Sequence, residues 1–422
     1  MTRRTRTAIS TQPLGTRRHR PDYWILILAA LLLAIGLIVV YAISPALIVE
    51  KHVSGSFYVT RQLIAVGLSI VAFGVTAMIP MGQWKKWHLP LLIFAALATT
   101  VALAMPTNPD YPAHRWIRLG GLSFQSVELL KFALLVWLAA LLSKGLQKGT
   151  LKDDLTTLKP LLFCLGAVGI IVAVIQSDFG SMAVIATTMA AMVFVAGMPM
   201  RRLLMVAGIG LIAATLAISA VPYRRARITA FVHQNNTANC AELKTGYQAC
   251  RALVAVGSGG MIGLGLGRSV QAFGYLPEAE NDSIFAIYAE KFGFIGVAVL
   301  LGLLIAFFGR IKRVMERAPD DFSRLIATGV FAWLATQTLI NIGAMIGLLP
   351  LKGITLPFIS YGGTSVLFVM AAVGLVFQIS RYTLYSVPRS SSVSSNGRTD
   401  YEDSRDRRRV RGAYHPKFGS RT

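Results

Sequence analysis

YLPEAENDSIFAIYAEKFG, Tyr275 to Gly293, places three carboxylates, Glu278, Glu280 and Asp282, immediately ahead of a strongly apolar segment. Glu290 and Lys291 follow one to two turns inside that segment. An uncompensated charge at membrane depth costs several kcal/mol. If the apolar segment crosses a membrane, its acidic edge therefore requires a chemical reason.

The rest of the chain supports that condition. Of 422 residues, 54% are apolar and 14% charged, and the mean hydropathy is +0.59. A soluble core stops growing before it needs so much apolar surface. Apolar runs of about 20 residues recur instead, each long enough to cross roughly 30 Å of hydrocarbon. Ten are read, at about 23–43, 59–79, 88–105, 123–142, 160–175, 179–196, 202–221, 283–309, 325–348 and 361–380. The expected fold is all-α, a polytopic membrane protein with about ten transmembrane helices and a long extracytoplasmic loop, 222–282, between the seventh and eighth.

Charge placement fits ten spans with both termini cytoplasmic. Most of the 42 Lys and Arg residues then fall inside, among them Arg17, Arg18, Lys85, Lys86, Lys144, Lys148, Arg201, Arg202, Arg310, Lys312 and Arg313. Residues 1–22 read as a basic cytoplasmic tail, 23–382 as the membrane domain, and 383–422 as a disordered basic cytoplasmic tail. The net charge of +23 is largely distributed beside spans, where anionic lipid headgroups attract it, so no nucleic-acid partner is expected. The first apolar run lacks a small-residue cleavage site and reads as an anchor.

Cys164 falls in an apolar run. Cys240 and Cys250 bracket CAELKTGYQAC in the outer loop, where an oxidising compartment favours a disulfide; two free thiols are the alternative. The same loop contains a moderately apolar helical piece near 247–256 and then GSGGMIGLGLGRS, Gly257 to Ser269. That run does not satisfy the phosphate-loop pattern and follows no strand, so glycines permitting close backbone approach are the better reading.

Other polar residues gather toward the outer face. Arg115 and Arg118 stand i, i+3 around Trp116 in the loop before the fourth span, a setting that also suits snorkelling cations. Lys131 lies inside that span with Glu128 one turn back. The two can form a structural ion pair, or Lys131 can face a phosphate from a polar cavity. Asp178 is placed to cap the sixth span. Gln337 and Asn341 share one face of the ninth, and LLPLKGITLPFISYGGTS follows with Lys352, Gly353 and Ser360. An irregular backbone rich in Pro and Gly at a membrane edge is tolerated where it lines a cavity or packs in protein. Cations, carboxylates and a membrane setting suit an anionic amphiphile, whose pyrophosphate Arg and Lys would hold while a carboxylate acts as general base. These residues leave chemistry and transport both open.

HRWIRLGGLSFQSVELLKF, QSDFGS, GYQ with GLGLGRS, YLPEAENDSIFAIYAEKFGFIG and NIGAMIGLLPLKGITLPFISYGG occur in this order, and with them residues 20–385 resemble the SEDS family of bacterial membrane proteins. Lys352-Gly353 and the charged extensions lean toward its cell-division branch. The resemblance implies a peptidoglycan glycosyltransferase of the inner membrane at the septum. It would polymerise lipid II, an undecaprenyl-pyrophosphoryl disaccharide-pentapeptide, into β-1,4 glycan with inversion and release of undecaprenyl pyrophosphate.

By the same resemblance Asp282, last residue of the PEAEND motif, is the base that activates an acceptor C4 hydroxyl. Arg115, Arg118, Lys131, Asp178, Glu278, Glu280, Lys352 and Ser360 would bind substrate. The family's usual His-Thr before the Asp is Glu280-Asn281 here, and a neighbouring carboxylate would raise the pKa of Asp282 and make it a better base. No cofactor is established by the sequence; a divalent cation, Mg or Mn, helped by Glu280 is the open possibility. Implied partners are lipid II, a class B penicillin-binding protein (an FtsI-like transpeptidase), and further division proteins of FtsQ-, FtsL-, FtsB- and FtsN-like type. A lipid II flippase and a non-catalytic division scaffold are the competing readings.

Overall fold

The computed structural model describes residues 20–51, 54–105, 115–119, 122–151, 153, 157–219, 225, 229, 231, 246–350 and 353–382. Its helices are α1 Tyr23–Lys51, α2 Phe57–Met78, α3 Met81–Ala104, α4 Ser126–Lys148, α5 Lys159–Val168, α6 Phe179–Val195, α7 Met200–Ser219, α8 Tyr247–Ser258, α9 Ile284–Glu316, α10 Asp321–Met345 and α11 Gly363–Ser380. Each apolar run of the sequence falls on one of them, and the helical piece expected near 247–256 is α8. Among the described residues seven helices, α1 to α4 and α9 to α11, are long and apolar enough to cross a membrane. α6, at 17 residues, and α5 with its π-helical continuation Gly169–Ile175 are apolar but shorter. The fold is thus all-α and multi-spanning.

One local element departs from the expected loop between the third and fourth spans. β1 Trp116–Leu119 pairs antiparallel with β2 Leu122–Gln125, with Trp116 opposite Gln125 and Leu119 opposite Leu122. The intervening sequence is Gly120-Gly121, a composition favoured in two-residue hairpin connections. The hairpin takes residues 123–125 out of the predicted fourth span, so α4 begins at Ser126.

α9 is the second departure. At 33 residues it would reach about 50 Å as a straight helix, well beyond ~30 Å of hydrocarbon. It breaks at Gly293, where φ 63° and ψ −164° are open only to glycine. The backbone groups at the break are satisfied by the glycine run. Leu264 and Gly265 donate to the carbonyls of Glu290 and Lys291, while Phe294 and Ile295 donate to those of Gly260 and Met261. A Cβ on Gly263 would lie 2.1 Å from the Lys291 carbonyl oxygen, so no larger residue permits this approach. Residues 284–292 therefore enter as a short buried helix whose irregular end is covered by protein, as membrane depth demands.

The two charges inside this piece are satisfied in the same way. Glu290, 0% exposed, accepts from Ser269 Oγ at 2.5 Å and from the Val270 and Gln271 amides. Lys291 Nζ donates to the carbonyls of Leu266, at 2.7 Å, and Ala42 of α1. The pair fastens the glycine run and α1 to the buried helix.

Small residues bring the remaining helices together, as expected where lipid supplies no hydrophobic drive between them. A Cβ on Gly374 of α11 would fall 2.0 Å from Thr76 Oγ1 of α2, and Phe73 and Phe377 pack beside it at 5.3 Å. Gly329 of α10 lets Met192 of α6 and Leu135 of α4 approach, and Gly36 of α1 lies against Phe358 and Ile359. At one end of the bundle Asp22 pairs with Arg310, and its amide donates to Ser380 Oγ. The start of α1, the late part of α9 and the end of α11 therefore meet on one face.

Candidate active site

At the opposite end, the carboxylate turn 277–283 is held by its own bonds and by three other segments. Within it, the Asn281 and Ser283 amides donate to the Glu278 carbonyl. Glu278 adopts φ 53°, a left-handed conformation that costs a non-glycine residue about 1–2 kcal/mol. Asn341 of α10 donates 2.7 Å bonds to the carbonyls of Asp282 and Ile354 at once. Ser360 Oγ donates to the Asn281 carbonyl at 2.6 Å and accepts from the Leu356 amide. The Tyr361 amide donates to the Glu280 carbonyl. From α8, Gln248 Nε2 reaches Ser283 Oγ at 3.0 Å and both Asp282 Oδ1 and the Pro277 carbonyl at 3.3 Å.

Asp282 is 8% exposed and Glu280 3%, whereas Glu278 is half-buried and accepts from Asn281 Nδ2. The space beside the Asp282 carboxylate is defined by Gly353. A Cβ there would lie 3.8 Å from Asp282 Oδ2 and 4.0 Å from Arg115 Nη1. Glycine thus leaves a gap flanked by a carboxylate and a guanidinium.

Arg115 is aimed into that gap by its other nitrogens. Nε donates to the Gln176 carbonyl at 3.0 Å, Nη2 to that of Ser177 at 2.7 Å, and Nη1 stands 3.8 Å from Asp178 Oδ2. Those carbonyls are presented where the π-helical stretch ends, and Ser177 there also takes a left-handed φ, 52°. Asp178 caps α6, accepting from the Ser181 amide and hydroxyl. Arg118, on β1, is exposed.

Lys131 and Glu128 form a second, deeper cluster. Lys131 Nζ donates to Glu128 Oε1 at 2.8 Å and to Gln337 Oε1 at 3.0 Å, and lies 5.2 Å above the Trp333 ring. Gln337 Oε1 also accepts from Trp333 Nε1, and its amide donates to the carbonyl and hydroxyl of Thr355. Glu128 Oε2 is buried with no partner. A small, mostly apolar cleft opens beside Lys131 between α4, α6 and Trp333. Gln337 and Asn341, one turn apart, therefore join this cluster and Asp282 to the same strand of backbone, 354–355.

Of the residues selected from sequence, the fold brings Asp282, Glu280, Glu278, Arg115, Asp178 and Ser360 to this end, with Lys131 linked through Gln337. Lys352 and Cys240 lie outside the described residues. Cys250 is disulfide-bonded and Cys164 is a free thiol. Among the described residues no three His, Cys, Asp or Glu side chains gather into a group that could hold a metal ion. Gln248 carried no assigned role in the sequence reading, although it stands in the GYQ motif; its proximity to Asp282 depends on how α8 docks.

Comparison with known proteins agrees with this architecture. The model of the FtsW/RodA/SpoVE family, described as cell cycle proteins, matches residues 23–385. The probable peptidoglycan glycosyltransferase FtsW of Coxiella burnetii is 37% identical, covering 86% of this chain and 96% of that protein. Stage V sporulation protein E of Bacillus subtilis is 34% identical over 88% of this chain and 100% of its own length. Among solved structures, a chain from work on the coordination of polymerization and crosslinking by a peptidoglycan synthase complex superposes with TM-score 0.69 at 26% identity, covering 86% of this chain and 98% of that one. The rod shape determining protein RodA of Thermus thermophilus gives 0.63 at 25% identity, over 87% and 98%. The ordered motifs, the broken helix with its glycine run and these alignments lead to one conclusion: the chain belongs to the FtsW/RodA/SpoVE family.

Proposed function

We propose that this chain is a peptidoglycan glycosyltransferase that polymerises lipid II, with Asp282 as general base. The observation that carries the reading is the gap at Gly353, bordered by a buried carboxylate on one side and Arg115 on the other. Relatives named as peptidoglycan glycosyltransferases that align over most of the chain support the same reading.

In this mechanism the acceptor's C4 hydroxyl enters the gap and gives its proton to Asp282 as its oxygen attacks the donor sugar's C1. The C1–oxygen bond to pyrophosphate breaks on the opposite face, and the leaving group keeps the electron pair. Inversion yields a β-1,4 link and undecaprenyl pyrophosphate. Arg115, pre-aimed by two carbonyls, stabilises the charge that develops on the departing phosphate. Arg118, exposed on β1, and Lys352 are assigned to substrate binding by the family resemblance. Lys131 lies deeper, bonded to Glu128 and Gln337, and supplies further positive charge below the site.

The reading includes ten crossings of the bacterial inner membrane, with the Asp22 face cytoplasmic, the Asp282 face outside, and action at the division septum. The partner of first rank is a class B penicillin-binding protein, in keeping with similarity to a chain of a peptidoglycan synthase complex. Other division membrane proteins follow from the family.

Purified protein with its transpeptidase partner, given labelled lipid II, is expected to form glycan polymer, and Asp282→Asn to abolish it. Normal polymer from that variant would refute the base assignment. Headgroup translocation without polymer under any condition would favour a flippase, and division supported by Asp282→Asn at normal protein levels would favour a scaffold.

A further inference from the structure

We infer that Gln248 is a positioning residue that selects which oxygen of Asp282 receives the proton. The inference rests on the proposed glycosyltransferase reading. Gln248 stands in the first turn of α8, a helix contributed by the long segment between α7 and α9, and its amide donates to Asp282 Oδ1. The same nitrogen is held by Ser283 Oγ and the Pro277 carbonyl, so it is fixed to both ends of the carboxylate turn. Its contact is with Oδ1, whereas Oδ2 is the oxygen turned toward Gly353 and Arg115. A carboxylate free to rotate about its Cβ–Cγ bond would present either oxygen. The amide pins the group in one orientation and directs Oδ2 to the gap where the acceptor hydroxyl is placed.

The bond has an electrostatic consequence as well. A hydrogen bond donated to a carboxylate favours its ionised form, the form that can act as base. Among the described residues the charged groups around Asp282 are Arg115, with Asp178 behind it, and Glu278 and Glu280 on its own turn. Arg251 of α8 is engaged over the rings of Tyr247 and Tyr275. Removing the Gln248 donor raises the pKa of the base, so activity is lost at a higher pH as the solution is acidified.

The test compares wild type, Gln248→Leu, Gln248→Asn and Asp282→Asn in the complex with the transpeptidase, following polymer from labelled lipid II between pH 5 and 9. Gln248→Asn keeps an amide but shortens its reach by one methylene. In both Gln248 variants turnover is expected to fall about tenfold with KM little changed, and the acidic limb of kcat/KM to move up by roughly one pH unit, the equivalent of that factor. Thermal unfolding in detergent separates these effects from loss of folded protein. An unmoved acidic limb in both variants, or losses that track folded protein alone, overturns the inference. Absence of polymer from wild type would instead overturn the glycosyltransferase reading on which it stands.

Discussion

Replacing Lys131 with methionine isolates the energetics of the buried cluster on α4. Lys131 and Glu128 are 6% and 3% exposed, and their charged atoms are 2.8 Å apart. At an effective dielectric of about 20 their gross attraction is roughly 6 kcal/mol, offset by the cost of taking both groups from water. Lys131→Met leaves Glu128 buried without its cation, and Glu128 Oε2 already lacks a partner. Gln337 Oε1 keeps its bond from Trp333, so the loss centres on the carboxylate. The expected destabilisation is about 3–5 kcal/mol. The double variant Glu128→Gln, Lys131→Met removes the stranded charge and is expected to recover at least half of that loss. Unfolding of each protein by SDS in mixed micelles, with polymer yield measured in parallel, reads both effects. Wild-type stability in Lys131→Met, or a double variant no more stable than the single one, would refute the reasoning. A double variant restored in stability but not in polymer yield would assign Lys131 a further role toward the anionic substrate.

Two other substitutions test the backbone architecture. Gly293→Ala places a Cβ 2.3 Å from the Gly263 amide nitrogen at a φ that L-residues avoid, so folded yield on purification is expected to collapse; ordinary yield would mean that α9 does not need the break. Gly353→Ala places a Cβ at ordinary contact distance, 3.8 Å from Asp282 Oδ2 and 4.0 Å from Arg115 Nη1, within the gap between them. Polymer formation is expected to drop at least tenfold with the thermal midpoint nearly unchanged, and wild-type activity would show that the acceptor does not pass there.

The membrane helices were legible because hydrocarbon thickness imposes length and apolarity on any span, and both can be read along a chain. The carboxylates of PEAEND were legible because charge at a membrane edge is costly, and the cap at Asp178 because a helix start needs groups for its unpaired amides. The separate fates of Arg115 and Arg118 were not: Arg118 lies on the extended β1, while Arg115 precedes it. Arg115 turns to the carbonyls of Gln176 and Ser177 while Arg118 remains exposed. The break at Gly293 was equally hidden, because a glycine within an apolar run has no local mark that distinguishes a kink from close helix packing.

By itself, the sequence determined where the helices run, which end of the bundle collects the polar motifs, and that Asp282 heads a buried segment. Only the tertiary structure decided what surrounds that carboxylate. Gln248, Asn341, Gly353 and Arg115 come from four separate parts of the chain and meet through irregular backbone whose hydrogen bonds are long-range. Helical and strand patterns repeat and can be read locally; the docking of non-repeating segments depends on partners far along the chain, 34 and 59 residues away for Gln248 and Asn341, and leaves no period in the sequence.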